Sequence, residues 1–206
     1  GMVYRCRNDE HWTMEFVSKA CEELTGYAAA DLMGSRKLAY ADIILPADRQ
    51  AVWDGIQRAV DTKSHFTLEY RITTSSGAIK WVWEQGCGVY DEKGELIALE
   101  GLIGDITGRK KTEIERMRFA AIVENSNDAI IGRTLDGVIT SWNAGAERLL
   151  GYTADEAIGK PATFILLPER RHVVADNSAR ALQGEAVPAH ETKRVAKDGR
   201  VIDVLS

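Results

Sequence analysis

Residues 16–34 read FVSKACEELTGYAAADLMG, and residues 141–159 read SWNAGAERLLGYTADEAIG. Both segments carry Glu at the seventh position, Leu at the ninth, Gly-Tyr at the eleventh and twelfth, and a closing Gly. Gly26 and Gly151 stand 125 residues apart. Downstream, Ile44-Leu45-Pro46 matches Leu166-Leu167-Pro168, and Glu69…Gly77 matches Glu191…Gly199, both at a spacing of 122, so one loop of the second copy is three residues shorter. Solenoid units repeat every 20–50 residues or so, which makes this period a duplicated domain and not a stacked repeat. A chain of 206 residues divides into two copies of ordinary domain size.

The net charge of −5 supplies no basic field for a phosphate backbone, which argues against nucleic-acid binding. Cys6, Cys21 and Cys87 all lie in the first copy; an odd set of three reads as reduced thiols in a cytoplasmic protein, with Cys21 and Cys87 as small buried residues. No apolar run approaches ~18 residues and no secretory leader is visible, so no membrane contact is expected within this segment, although its parent could be membrane-anchored.

The first copy reads as a strand over residues 1–7, a second over 13–17, and a helix capped by Ser18 and closed by a left-handed Gly26. A short helical turn ends at Gly34. Pro46 then opens a helix over 47–62, with Val52, Trp53, Ile56 and Val60 at helical spacing. Strands over 66–74, 79–90 and 97–106 follow, joined by tight turns. Two strands, a group of helices and three strands make an α+β fold, with a largely antiparallel sheet. Residues 107–124 read as a connecting helix, either a solvated linker or a coiled-coil segment that pairs two chains. The second copy repeats the order with strands over 129–133, 138–142, 191–196 and 200–205, and its long helix runs from Pro168 to about Gln183. Set against the first copy, it stops roughly 20–25 residues short of a full sheet. If the chain truly ended at Ser206, the second domain would be destabilised or completed by a neighbouring chain's strand.

These residues resemble the PAS family of bacterial sensor modules. The resemblance rests on Asn143…Leu149-Leu150-Gly151-Tyr152…Glu156…Gly159 and Arg194…Lys197-Asp198-Gly199 in the second copy. In the first copy it rests on Leu24-Thr25-Gly26-Tyr27…Gly34, Pro46-Ala47-Asp48-Arg49, Trp81-Val82-Trp83-Glu84 and the exit motif Gly104-Asp105-Ile106-Thr107. It implies two domains, each a five-stranded antiparallel sheet with helices on one face, divided as residues 1–107, a linker helix over 108–118 continuing to about 124, and residues 119–206. It also implies a sensory input region of a histidine kinase or cyclic-dinucleotide enzyme type, with an output domain beyond residue 206. Asp105, Ile106 and Thr107 are then where strain in the sheet passes into the output helix. A homodimer is expected, since the linker helix and exposed sheet faces need covering. The alternative is a ligand-free scaffold that only dimerises or docks partners.

No motif of a nucleophilic, metal or phosphate-binding enzyme appears, so this segment is read as non-catalytic. The photoactive PAS relatives carry an Asn-Cys-Arg motif after the helical-turn glycine; residues 35–40 and 160–164 contain no cysteine, which excludes a flavin–cysteinyl adduct. Heme-binding relatives place a histidine on the long helix. His172 lies near the start of that helix here, whereas the matching positions, Val173 or Ala175, cannot ligate iron, so heme is not expected. Trp81 and Trp83 share one strand face and Val82 and Glu84 the other. If Glu84 faces water, both indoles wall a ligand cavity, with Tyr70 on the neighbouring strand; otherwise they cover the outer face against a linker helix or a partner chain. The expectation taken here is the cavity. The ligand itself is not named by the sequence.

Overall fold

The computed structural model describes residues 1–170, 180 and 188–205. The chain separates into two compact units, Gly1–Ile114 and Glu115–Ser206.

Unit 1 contains β1 (Met2–Cys6), β2 (Met14–Val17), α1 (Ala20–Thr25), α2 (Ala29–Leu32), α3 (Tyr40–Ile43), α4 (Pro46–Asp61), β3 (His65–Thr73), β4 (Ile79–Tyr90) and β5 (Leu96–Asp105). The five strands form one antiparallel sheet in the order β2-β1-β5-β4-β3. Alternation puts Met2, Tyr4 and Cys6 of β1, Tyr70 and Ile72 of β3, Val82 of β4 and Leu99 and Ile103 of β5 on the buried face, where they meet Val52, Ile56 and Ala59 of α4. Pro46 occupies the first turn of α4, where its missing N–H costs nothing. α1 ends on Gly26 at φ 77°, as expected. Its start differs from the expectation. The N-cap is Lys19 without a side-chain bond, because the Ser18 hydroxyl is engaged as acceptor for the Val3 N–H, 3.0 Å away on β1. The thiol of Cys87 also departs from expectation: it is half-buried on the outer sheet face, while Cys6 and Cys21 are buried.

α5 (Thr107–Glu124) follows β5 directly, and none of its residues is buried. Unit 2 contains β6 (Ile131–Arg133), β7 (Ile139–Trp142), α6 (Ala144–Leu150), α7 (Ala154–Ala157), two single 3-10 turns (Ala162–Ile165 and Pro168–Arg170), β8 (Glu191–Val195) and β9 (Val201–Leu205). Among the described residues its strands form two separate antiparallel pairs, β6–β7 and β8–β9. In unit 1 the strand joining the equivalent pairs is β5. Among the described residues a smaller core gathers Ile139, Trp142, Ala146, Leu150, Ala157, Ala162 and Ile165. Asn143 organises its entrance. The side-chain oxygen accepts from Ile130 N–H (2.8 Å) and caps α6 at Ala146 N–H (2.9 Å), and the amide donates to the carbonyls of Val123 and Asp128. One buried side chain thus bonds to four backbone groups. The residues following Pro168-Glu169-Arg170, including His172, lie outside those described up to residue 179.

Candidate functional site

The interior of unit 1 is built around a carboxyl group. Glu84 is only 4% exposed and points into the core beside Val82. The Tyr4 hydroxyl donates to Glu84 Oε1, and the Tyr70 and Tyr40 hydroxyls are 3.0 Å apart. Glycines make room for this arrangement. A Cβ on Gly101 would meet the Tyr4 ring 2.8 Å away, so only glycine lets that ring lie against β5 and reach Glu84. Burial pushes the Glu84 carboxyl above the usual carboxylate range, against the pull of the Tyr4 and Tyr70 hydroxyls. Burial, then the Glu84 charge, raises Tyr4 and Tyr70 as well. The group therefore favours a neutral, hydrogen-bonded cluster. The space left among Tyr4, Cys6, Trp12, Tyr40, Tyr70 and Glu84 is about 10 Å³, room for a single water.

The indoles lie on the other side of the sheet. The expectation that Trp81 and Trp83 wall a cavity assumed that Glu84 faces water; Glu84 is buried, so the alternation turns both indoles outward, where they are half-buried. Tyr70 does line the interior. Trp81 sits at a junction of three elements. Its ring lies 5.4 Å from the Arg71 guanidinium of β3 and 5.3 Å from Lys110 Nζ of α5. Arg71 in turn holds Asp48 of α4 through two side-chain bonds of 2.9 and 2.5 Å, and its backbone N–H bonds to the same carboxylate. This keeps the Asp48 carboxyl below its usual range. Lys110 and Arg109 both pair with Glu69 of β3.

The exit motif is anchored at the same place. Ile106 N–H donates to the Trp81 carbonyl at 2.9 Å, and Trp81 N–H donates to the Thr107 hydroxyl at 3.0 Å. The Asp105 carboxylate accepts from Thr107 N–H at 2.8 Å and lies 3.2 Å from Lys80 Nζ. The start of α5 is thus bonded to β4, one strand away from the strand it continues. A continuous set of contacts runs from α4 through Asp48, Arg71 and Trp81 to α5. The sequence reading singled out Asp105, Ile106 and Thr107 and quoted Asp48 only as a motif residue; it missed Arg71 and Lys110, whose partners are distant in sequence.

Unit 2 has a different interior. Among the described residues a cleft of about 830 Å³ lies between its two strand pairs, at the place where unit 1 has its central strand β5. Ile131, Leu150, Ile165 and Leu166 supply apolar wall, while Arg133, Arg170, His190, Thr192 and Arg194 supply polar groups. Thr192, 6% exposed, accepts from Arg170 Nη1 at 2.6 Å and Arg194 Nη1 at 3.2 Å. Burial, then the neighbouring Arg170 and Arg133 charges, pushes Arg194 below the ordinary guanidinium range. The repeat explains how arginines come to be here. Arg194 occupies the position of Ile72, 122 residues earlier. Arg133 pairs with Ile139 as Cys6 pairs with Met14, and Met14 and Ile139 are 125 residues apart. Both arginines therefore take positions that are inward-facing in unit 1.

A family model described as PAS fold matches residues 14–103, and a second, also described as PAS fold, matches residues 117–206. The chain belongs to the PAS family and consists of two PAS domains in tandem. It is 34% identical over 113 residues to a methyl sulfide methyltransferase-associated sensor of Methanosarcina acetivorans, a match spanning 54% of this chain and 11% of that protein. It is 30% identical over 128 residues to the sensor protein FixL of Bradyrhizobium diazoefficiens (60% of this chain, 25% of that one). The probable diguanylate cyclase DgcE of Escherichia coli is 30% identical over 129 residues (61% and 12%). The chain thus spans a quarter or less of the length of these relatives. A solved sensory box histidine kinase/response regulator structure from Burkholderia thailandensis is 23% identical and covers 58% of this chain and 86% of that one, with a TM-score of 0.48.

Proposed function

We propose that this chain is the sensory input region of a multidomain bacterial signalling protein, binding a small ligand or relaying signals through PAS packing and dimerisation. Unit 1 is the packed element that couples sheet strain to α5. The observation that carries this reading is the continuous set of bonds from Asp48 through Arg71 and Trp81 to Thr107 and Lys110, which fastens a helix to the sheet of a sensor-family domain. The sensor relatives support an output domain elsewhere in the parent protein, of the kinase or cyclase type. Sensing here means a shift between two packings of sheet and helix, without chemistry on the ligand.

Unit 1 by itself fits the scaffold reading, since its interior leaves about 10 Å³. Pairing of two copies is supported by exposed Val3, Phe16 and Leu102 on the sheet and by Ile114, Met117 and Ile122 on α5. Light scattering tests this directly, with a dimer as the expected state and a monomer at high concentration ruling the pairing out. The relay is tested by hydrogen exchange. Trp81→Ala is expected to speed amide exchange across 107–113 while leaving β1 and β3 protected. Unchanged exchange in the first two turns of α5 would remove the coupling role.

A further inference from the structure

The chamber enclosed by Tyr4, Cys6, Tyr40, Tyr70 and Glu84 in unit 1 holds an acid without a base. Among the described residues no Lys, Arg or His lines it. Tyr4 gives Glu84 one hydrogen bond, and Tyr40 and Tyr70 lie within bonding distance of each other. Val52 and Ile56 of α4 face the same space, and Ile103 of β5 is paired with Glu84, so the elements packed around the acid add no charge. An ionised Glu84 would have hydroxyl donors but no countercharge, in a chamber with room for one water.

One wall of this chamber is held under strain. Trp12 lines it and also lines a surface hollow of about 450 Å³ beside α3 and the start of α4, so this side chain separates the interior from solvent. Its φ of 44° lies in the left-handed region, where a bulky residue is an outlier. The Asp9 carboxylate holds the turn by accepting the His11 and Thr13 N–H groups at 3.1 and 3.0 Å. The Trp12 indole Nε1 is the one buried side-chain polar atom without a hydrogen-bond partner among the described residues. Strain and an unpaired donor both favour displacement of this side chain once water can reach it.

Glu84 also lies close to the exit from the sheet. It follows Trp81 by three positions on β4, and the Trp81 N–H and carbonyl hold Thr107 and Ile106. We propose that unit 1 is a proton switch: ionisation of Glu84 draws water in past Trp12, and the displaced β4 passes the change to α5 at the Trp81–Thr107 bond. This rests on the relay reading of unit 1 given above and names the proton as the stimulus. Burial raises the Glu84 carboxyl above its ordinary 4.5, so the closed form is the protonated one, present at low pH and lost as pH rises through the raised value. Burial also raises Tyr4, Cys6, Tyr40 and Tyr70, which stay neutral meanwhile. On the outer side of Trp12 the charged and titratable groups are Glu10, His11, Asp42 and Arg49.

The test is a pH titration of the 206-residue chain, followed by heteronuclear NMR from about pH 4 to about pH 9. The Trp12 indole N–H signal is assigned by its loss in Trp12→Phe. That signal and the backbone amides of residues 107–110 are expected to shift together, with one midpoint above 4.5, and to lose this step in Glu84→Gln. Tyr4→Phe removes the hydroxyl donor to Glu84 and is expected to move the midpoint up by about one pH unit, which repeats the test if Glu84→Gln does not fold. His11→Gln is expected to leave the midpoint in place. Signals that stay fixed across the range overturn the switch. A step that persists in Glu84→Gln, vanishes in His11→Gln or keeps its midpoint in Tyr4→Phe overturns the assignment to Glu84. A Trp12 shift with residues 107–110 unmoved overturns the passage to α5. If Trp81→Ala speeds exchange in α5 while pH leaves residues 107–110 unmoved, the proton is overturned as stimulus and the relay stands; no response to either overturns both.

Discussion

The two units descend from one sequence pattern and carry different residues at matching inward positions. In unit 1 the inward positions hold Tyr4, Cys6, Tyr70, Ile72, Val82 and Glu84, and they close on a space of about 10 Å³. In unit 2 the matching positions include Ile131, Arg133, Thr192 and Arg194. The first solution places one acid among hydroxyl groups. The second sets arginines where the first has Cys6 and Ile72. The backbone pattern is shared: both first helices end on a left-handed glycine, at φ 77° and 76°. What the difference teaches is that the fold is set by turn and cap residues, whereas binding capacity is set by a few inward side chains that can change without disturbing those turns.

Exchanging interiors is the strongest way to challenge this contrast. Ile72→Arg puts the unit 2 residue into the closed interior of unit 1, where it finds no room and no partner. A loss of about 3–5 kcal/mol or outright unfolding is expected in a urea titration followed by tryptophan fluorescence. The reciprocal Arg194→Ile removes a like charge from the cleft and is expected to change stability by under about 1 kcal/mol. Comparable losses for both would show that the two interiors are not organised differently.

Next in size is the acid itself. Glu84→Ala leaves the Tyr4 hydroxyl without its acceptor and should cost about 1–3 kcal/mol. Glu84→Gln separates charge from shape. The Glu84 carboxyl is raised above its ordinary 4.5 in the folded chain, so the protonated form is the one folding favours. Its contribution is full below about pH 4.5 and declines as pH rises through the raised value. Unfolding midpoints of the native chain should therefore fall from pH 5 upward more steeply than those of Glu84→Gln. Parallel curves would mean that the carboxyl is not held neutral.

A carboxylate of the opposite sense lies on the same unit. Asp48 is lowered from 3.8 by Arg71, so its contribution is present above about pH 4 and is lost as pH falls through the lowered value. Asp48→Asn should cost about 1 kcal/mol at pH 7 and little at pH 2–3, with the difference read from the same titrations. The smallest effect concerns the shared cap. A Cβ at Gly26 would collide with the Ser75 hydroxyl, whereas at Gly151 it would only touch Lys197 at 3.5 Å. Gly151→Ala should cost about 1 kcal/mol for its positive φ, and Gly26→Ala more. Equal thermal shifts would place the cost in the backbone alone.

Much of this architecture could be read from the chain. The duplicated Gly-Tyr segments and turn glycines located the units, and Pro46 and Gly26 marked helix ends to within a residue. The phase of β4 could not be read the same way. Trp81-Val82-Trp83-Glu84 alternates cleanly, but alternation says only that two faces exist. A carboxylate turned inward is explained only by Tyr4 and Tyr70, which lie on other strands. Ser18 looked like a cap because its type favours one; a backbone N–H on the neighbouring strand took the hydroxyl instead. The arginines of the cleft did leave a trace, since aligning the copies sets Arg194 over Ile72. That signal belongs to comparing the repeats, and no local motif contains it.

The bond between Thr107 and the Trp81 backbone has a mechanical consequence. α5 is pinned at its first residue to β4, so its first turn cannot leave the sheet without breaking that bond. Removing the Thr107 hydroxyl would strip the Trp81 N–H of its acceptor and leave the start of the helix bonded to the β4 backbone through Ile106 alone.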